Sequence, residues 1–205
     1  MHVCHISGMP GTGKTTLGKF IEKGLAGVRV VDTDELIESD TPNGDALKAL
    51  EDPAVDPHGE LYDAAWRKIF RAEIQRSIKL AAHTLSPPPR LLVFVGLLDH
   101  FGHKAPPVEI PEARLKFYME VPTDLWLYRF YSRLSTIPSK DDYWRHAAGM
   151  TTHTQSVPGS KELLDDAVRT KCWHVDHGYE PLSAEQIVRK LSELLGLCDP
   201  MGKVQ

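Results

Sequence analysis

Residues Gly8-Met9-Pro10-Gly11-Thr12-Gly13-Lys14-Thr15 match G-x-x-x-x-G-K-[ST] at every fixed position, and this octapeptide constrains the fold more than any other part of the chain. With glycine at about 7% of residues, the fixed positions would match by chance in about one chain of this length in a hundred. Here the context also fits. His2 to Ser7 alternates as a buried first strand should, and Lys14 to Leu25 reads as a helix closing near Gly24 and Gly27. Glycines let the backbone curl until several N–H groups face one anion, and the following helix adds its unpaired N-terminal donors and the positive end of its dipole. Gly8, Gly11, Thr12 and Gly13 therefore cradle phosphates, and Lys14 brings a mobile charge toward the β- and γ-phosphates. Thr15 offers a hydroxyl ligand to Mg²⁺, and Thr16 a donor to the α-phosphate. The cofactors expected are ATP and Mg²⁺.

Val28 to Val31 is a second strand, followed at once by Asp32-Thr33-Asp34. Ligands of an open parallel sheet bind beyond the carboxyl ends of its strands, so both carboxylates leave the sheet on the side of the phosphate loop. Two residues apart, they point one way in an extended segment. One carboxylate then orders Mg²⁺-bound water, and the other accepts a proton from a substrate hydroxyl. The same residues also suit a solvated turn capping the next helix, because residues 32–63 carry eleven acids and one lysine.

Further on, Leu61 to Leu85 reads as one long helix striped by Tyr62, Trp66, Ile69, Phe70, Ile74 and Ile78, and Pro87-Pro88-Pro89 stops it. Arg90 to Leu97 is the strongest strand and is apolar from Leu91 onward, as a central parallel strand buried on both faces should be. A Pro-rich loop spans Phe101 to Pro111, Leu115 to Val121 is a fourth strand, and Pro122-Thr123-Asp124 opens a helix to about Ser135. A helix near Lys161 to Arg169 leads to a short fifth strand, Cys172 to Val175. Ser183 to Leu195 closes the chain as a helix with Ser183 and Gln186 forming a capping box. The expected fold is α/β: one doubly wound domain of residues 1–205, a parallel five-stranded sheet with helices on both faces. A substrate-binding insertion falls at about 40–85 and a lid at about 136–160, a polar segment with Pro and Gly at both ends.

The composition bounds the partners. A net charge of −4 over 205 residues argues against bulk nucleic-acid binding, which usually needs a basic face. The longest apolar run, Leu91 to Leu98, is far below the roughly 20 residues of a membrane helix. Cys4, Cys172 and Cys198 are too few and scattered for a disulfide framework, and no secretory signal opens the chain, so a reducing cytoplasm is the expected compartment. Cys4 and Cys172 lie in apolar runs and are expected to be buried thiols. His100-x-x-His103 and His174-x-x-His177 have spacings a metal tolerates, without the cysteines or acids to complete four ligands.

Strand, G-x-x-G-x-G-K-T-T, helix, strand, Asp-x-Asp resembles the shikimate kinase and gluconate kinase branch of small P-loop kinases, and more broadly the nucleoside monophosphate kinase fold. The match is specific over about residues 1–38, architectural over 61–135, and returns weakly at Gly178-Tyr179-Glu180-Pro181-Leu182-Ser183-Ala184-Glu185-Gln186-Ile187. The resemblance implies a kinase in which Asp32 sits near Mg²⁺ and Asp34 orients or deprotonates the acceptor hydroxyl. It makes Pro181 and Leu182, before the last helix, candidate contacts to the adenine ring. It turns Arg67 and Arg71, one turn apart on the long helix, into an acceptor clamp for a carboxylate or phosphate, with solvated helix surface as the plain alternative. Arg129 and Arg133 become lid arginines that neutralise the transferring phosphoryl, Arg145 being a weaker third. Asp99, past the third strand at the Walker B position of many P-loop proteins, competes with Asp32 for the metal. The chain departs from the shikimate kinase glycine cluster by reading Val95-Gly96-Leu97-Leu98-Asp99-His100, and no Asp-Gly-Phe-Pro-Arg follows the third strand. The expectation is a phosphotransferase acting on a small-molecule acceptor seated between Asp34, Arg67 and Gly96. The alternative is an NTPase or switch that acts on a protein partner without a phosphoryl acceptor.

Overall fold

A computed structural model describes residues 1–36, 47, 50, 60–83, 86–96, 108–135 and 160–197. Five strands, β1 (His2–Ser7), β2 (Val28–Asp32), β3 (Leu91–Val95), β4 (Leu115–Met119) and β5 (Glu180–Leu182), form one sheet in the order β2-β3-β1-β4-β5. All four pairings are parallel, with Cys4 opposite both Val93 and Leu115. The helices are α1 (Lys14–Gly24), α2 (Glu60–His83), α3 (Thr123–Ser135), α4 (Ser160–Asp176) and α5 (Ala184–Leu195). The expected α/β parallel sheet is therefore present. Among the described residues no helix is long and apolar enough to cross a membrane.

The period-2 geometry of a strand divides the core in two. Cys4, Ile6, Leu91, Val93, Val95 and Phe117 pack with Leu17 and Ile21 of α1 and with Ile187, Val188 and Leu191 of α5. On the other face Val3, Leu92 and Phe94 meet Phe70, Ile74 and Ala81 of α2, together with Val108, Ile110 and Ala113. All five residues of β3 are buried, which explains why its sequence is apolar without alternation. The capping box of α5 is in place, with Ser183 N donating to Gln186 Oε1 and Gln186 N to Ser183 Oγ.

Three expectations change. The fifth strand is not Cys172 to Val175: those residues continue α4, and Glu180–Leu182 pairs with β4 instead. The aromatic and β-branched run there satisfies its polar groups within a helix, with Nδ1 of His174 bonded to Thr170 O and Nδ1 of His177 to Trp173 O, each one turn back. Cys172 is accordingly an exposed thiol on α4, whereas Cys4 is buried. Asp32 and Asp34 do not share an extended segment, because a 3₁₀ turn begins at Thr33. The expected lid, 136–160, lies outside the described residues apart from Ser160, as does most of 40–59.

Gly18 marks the closest approach of α1 to the sheet, where a Cβ would lie 3.0 Å from Val30 Cγ1 and 3.3 Å from both methyls of Val95. Alanine gains about 1 kcal/mol of helix propensity but must displace Val95 in the fully buried β3, and overpacking of that kind costs about 1–3 kcal/mol. Gly18→Ala is therefore expected to lower the unfolding midpoint in denaturant, despite being a helix-favouring substitution.

Candidate functional site

The phosphate loop leaves the carboxyl end of β1 and enters α1 at Gly13, whose φ of 97° lies in the left-handed region that side chains avoid. The turn before it is closed by Thr12, whose N–H and Oγ1 both donate to Met9 O, at 3.2 and 2.8 Å. Thr12 is 4% exposed, so its side chain serves the loop's own shape. The Lys14 ammonium donates to Gly8 O at 2.7 Å and Met9 O at 3.0 Å, gathering the loop's carbonyls around one charge.

Asp32 reaches this loop from β2. Its Oδ2 accepts from Thr15 Oγ1 at 2.8 Å, and its Oδ1 accepts from Asp34 N at 3.1 Å, which caps the 3₁₀ turn. The capping and site readings of Asp32 thus hold together, one oxygen for each. Between the two acids, Thr33 turns inward; its buried Oγ1 has no hydrogen-bond partner among the described residues and faces Gly96 at the end of β3. A Cβ on Gly96 would lie 1.6 Å from that oxygen, so only glycine lets β2 and β3 end side by side here. Asp34 is exposed at the mouth of this edge.

Helix α3 closes the other side. Arg129 Nη1 donates to Thr12 O at 3.3 Å and stands 3.9 Å from where a Cβ on Gly13 would be, so its charge overlies the loop. Trp126 Nε1 donates to Pro10 O at 2.8 Å, and the Phe130 backbone lies 3.8 Å from the Cβ position of Gly11. Trp126 was not singled out from sequence, yet it shares a helical face with Arg129 and Phe130, and that spacing is the available signal. Arg133 lies one turn further along α3; its side chain, like Asp99 and Arg145, is outside the described residues.

Arg67 and Arg71 border an open cleft of about 360 Å³ with Val108, Glu109 and Pro111. Glu109 also lies 3.7 Å from Lys116 and 3.8 Å from His177. Pro181 and Leu182 are strand residues, not loop residues: Leu182 is 7% exposed and its side chain belongs to the core, while Pro181 is half-buried.

Sequence reasoning missed a buried polar group behind the loop. His5 and His174 are 0% and 1% exposed. Nδ1 of His174 lies 2.7 Å from Thr170 O and Nε2 2.7 Å from Ser7 Oγ. A carbonyl only accepts, so Nδ1 carries the proton and Ser7 donates to Nε2. His5 is the opposite tautomer, with Nε2–H donating to Gly96 O at 3.2 Å and Nδ1 accepting from Tyr179 Oη at 2.6 Å. His174 and His177 diverge, the latter stacking on Trp173 with ring centroids 3.8 Å apart, so the His-x-x-His spacing does not converge on one point. Burial lowers the His5 pKa to about 3 and the His174 pKa to about 4; carbonyl bonds oppose this, and the Lys14 charge adds to it.

No protein-family model matches the sequence, and no curated protein matches it. Solved structures do. Shikimate kinase from Acinetobacter baumannii in complex with shikimate is 16% identical, covering 96% of this chain and 94% of that one, with a TM-score of 0.53. Shikimate kinase from Bacteroides thetaiotaomicron is 17% identical over 96% and 99%, with a TM-score of 0.52. The tunicamycin resistance protein of Deinococcus radiodurans is 14% identical over 96% of each chain, with a TM-score of 0.50. At these identities the likeness is one of fold, and the fold is that of the shikimate kinase-like P-loop proteins.

Both histidines bind a proton in the unfolded chain below about pH 6.5 and resist it when folded, so the unfolded state holds more protons between pH 6.5 and 4. Stability should be full above that window and fall on acidification by about 1.4 kcal/mol per pH unit for each histidine. Denaturant titrations at stepped pH check this, and His174→Gln should flatten the slope below pH 6.5.

Proposed function

We propose that this chain is a Mg·ATP-dependent phosphotransferase that acts on a hydroxyl or phosphate of a small molecule. The observation that carries the reading is the 2.8 Å bond between Thr15 and Asp32, which joins the phosphate loop to a carboxylate from β2. A hydroxyl and a hard carboxylate, beside a loop of backbone donors, suit a hydrated Mg²⁺ that keeps several waters and takes phosphate oxygens as ligands. Thr15 and Asp32 would hold that ion, with Asp99 as the competing carboxylate, and Mg²⁺ supplies neutralisation and orientation of the phosphate oxygens.

The chain's own groups supply the remainder. Gly8, Gly11, Thr12, Gly13 and Thr16 form the phosphate cradle, and Lys14 and Arg129 place cationic charge on either side of it. That arrangement favours the charge-rich transition state of phosphoryl transfer. Arg133 would add to it. Asp34, exposed at the end of β2, would orient the acceptor and take its proton. Gly96 forms the floor beside it, Arg67 and Arg71 would attract an anionic group on the acceptor, and Pro181 would face the base. A nucleotide-dependent switch without an acceptor is the competing reading, and turnover separates the two.

ADP release from Mg·ATP, measured alone and with nucleosides, nucleoside monophosphates, shikimate, gluconate and other hydroxylated metabolites, tests the proposal. Stimulation by one acceptor, lost in Lys14→Ala, is the expected result. Steady turnover indifferent to every acceptor would favour the switch. Asp34→Asn should then lower kcat by about 100-fold or more, in line with the usual 10²–10⁴-fold contribution of a general base, while leaving ATP affinity within threefold. Equal losses in both would mark Asp34 as structural.

A further inference from the structure

Ser7 is the last residue of β1 and is bonded directly to Gly8, the first glycine of the phosphate loop. Its hydroxyl is fully buried and donates to Nε2 of His174. His174 is fixed in turn by Nδ1–H to Thr170 O, one turn back on α4, and by edge contacts of its ring with Tyr179 and Trp173. On the loop side, Gly8 O accepts from the Lys14 ammonium, and a Cβ on Gly8 would lie 3.0 Å from Met119 O. The contacts thus run without a gap from the α4 backbone through His174, Ser7 and Gly8 to the charged group of Lys14. A fully buried serine needs a partner, and the carbonyls of its own strand are committed to β3 and β4. The bond it makes, across 167 positions to a histidine that is itself anchored, also ties the strand end to α4.

We propose that Ser7 and His174 are positioning residues for the phosphate-binding loop, fixing the end of β1 so that the loop's donors and Lys14 converge on one anion. The proposal rests on the nucleotide-binding reading given above. His5 does the same for the neighbouring strand end, tying Gly96 O to Tyr179 at the α4–β5 junction. Both bridges need neutral imidazoles. The groups facing them are Lys14 from the loop, Lys116 and Tyr118 from β4, and His177 and Tyr179 beyond α4, none of which is an acid that would favour protonation.

The test is the affinity for Mg·ADP, which needs no acceptor, read beside the denaturation midpoint. Ser7→Ala leaves an unpaired buried acceptor and should lose both stability and at least tenfold in affinity. The double variant Ser7→Ala/His174→Phe removes both polar partners, so its stability should recover toward wild type while its affinity stays at least tenfold weak. His174→Gln, whose amide oxygen can accept from Ser7, should bind within about threefold of wild type. Affinity that follows stability back to the wild-type value in the double variant, or that is unchanged in Ser7→Ala, overturns the proposal. If wild type binds no Mg·ADP, the nucleotide reading fails and this proposal falls with it. If wild type binds and Lys14→Ala does not, an unchanged Ser7→Ala removes the positioning role alone.

Discussion

Strand β1 is hydrogen-bonded along both edges, to β3 on one side and β4 on the other, and that double pairing locates the site. A loop built from glycine-rich turns has little preference of its own for a place in space. It acquires one because the strand before it cannot shift relative to either neighbour, and because the helix after it is pressed into β2 and β3 at Gly18. The carboxylate of Asp32 arrives through the same sheet: β2 pairs with β3, β3 with β1, and the register leaves Thr15 and Asp32 in contact. Helix α3 then covers the loop through Trp126 and Arg129.

Features written in short, contiguous stretches were readable from the chain alone. The phosphate loop, the fully apolar β3 and the Ser183/Gln186 capping box each depend on neighbours a few residues away, and each is present. Features set by partners distant in sequence were not. The run Cys172 to Val175 has the composition of a strand, but its bonds go one turn back along α4, and a three-residue strand with little sequence signature takes its place in the sheet. Ser7 and His174 are 167 positions apart, and nothing local to either announces the other. Arg67 and Arg71 were correctly placed on one helix, but which cleft that helix borders is decided by how the 108–111 segment packs against it.

The polarity of the second sheet face has a common cause. Without the two histidines, the carboxyl ends of β1 and β3 would leave Gly96 O and the Ser7 hydroxyl buried without these partners, at a cost of about 1–3 kcal/mol for each unsatisfied group. Two neutral imidazoles of opposite tautomer meet that need, since each offers one donor and one acceptor in a rigid plane. Thr33 is the exception, a buried hydroxyl without a partner among the described residues, just past the end of β2 and beside the proposed acceptor floor.

The sheet's two outer strands also bear on how the molecule behaves at high concentration. An open edge of N–H and C=O groups is a template for another chain. At β2 the Val30 N–H is taken by the Glu22 carboxylate of α1, which also receives the Arg29 guanidinium. At β5 the Leu182 carbonyl accepts from Glu120 N, so the alternate residue, Pro181, turns away from β4 a nitrogen that has no hydrogen to offer. One border has a donor taken by a side chain and the other lacks a donor at Pro181, which discourages extension of this sheet from molecule to molecule into a fibre.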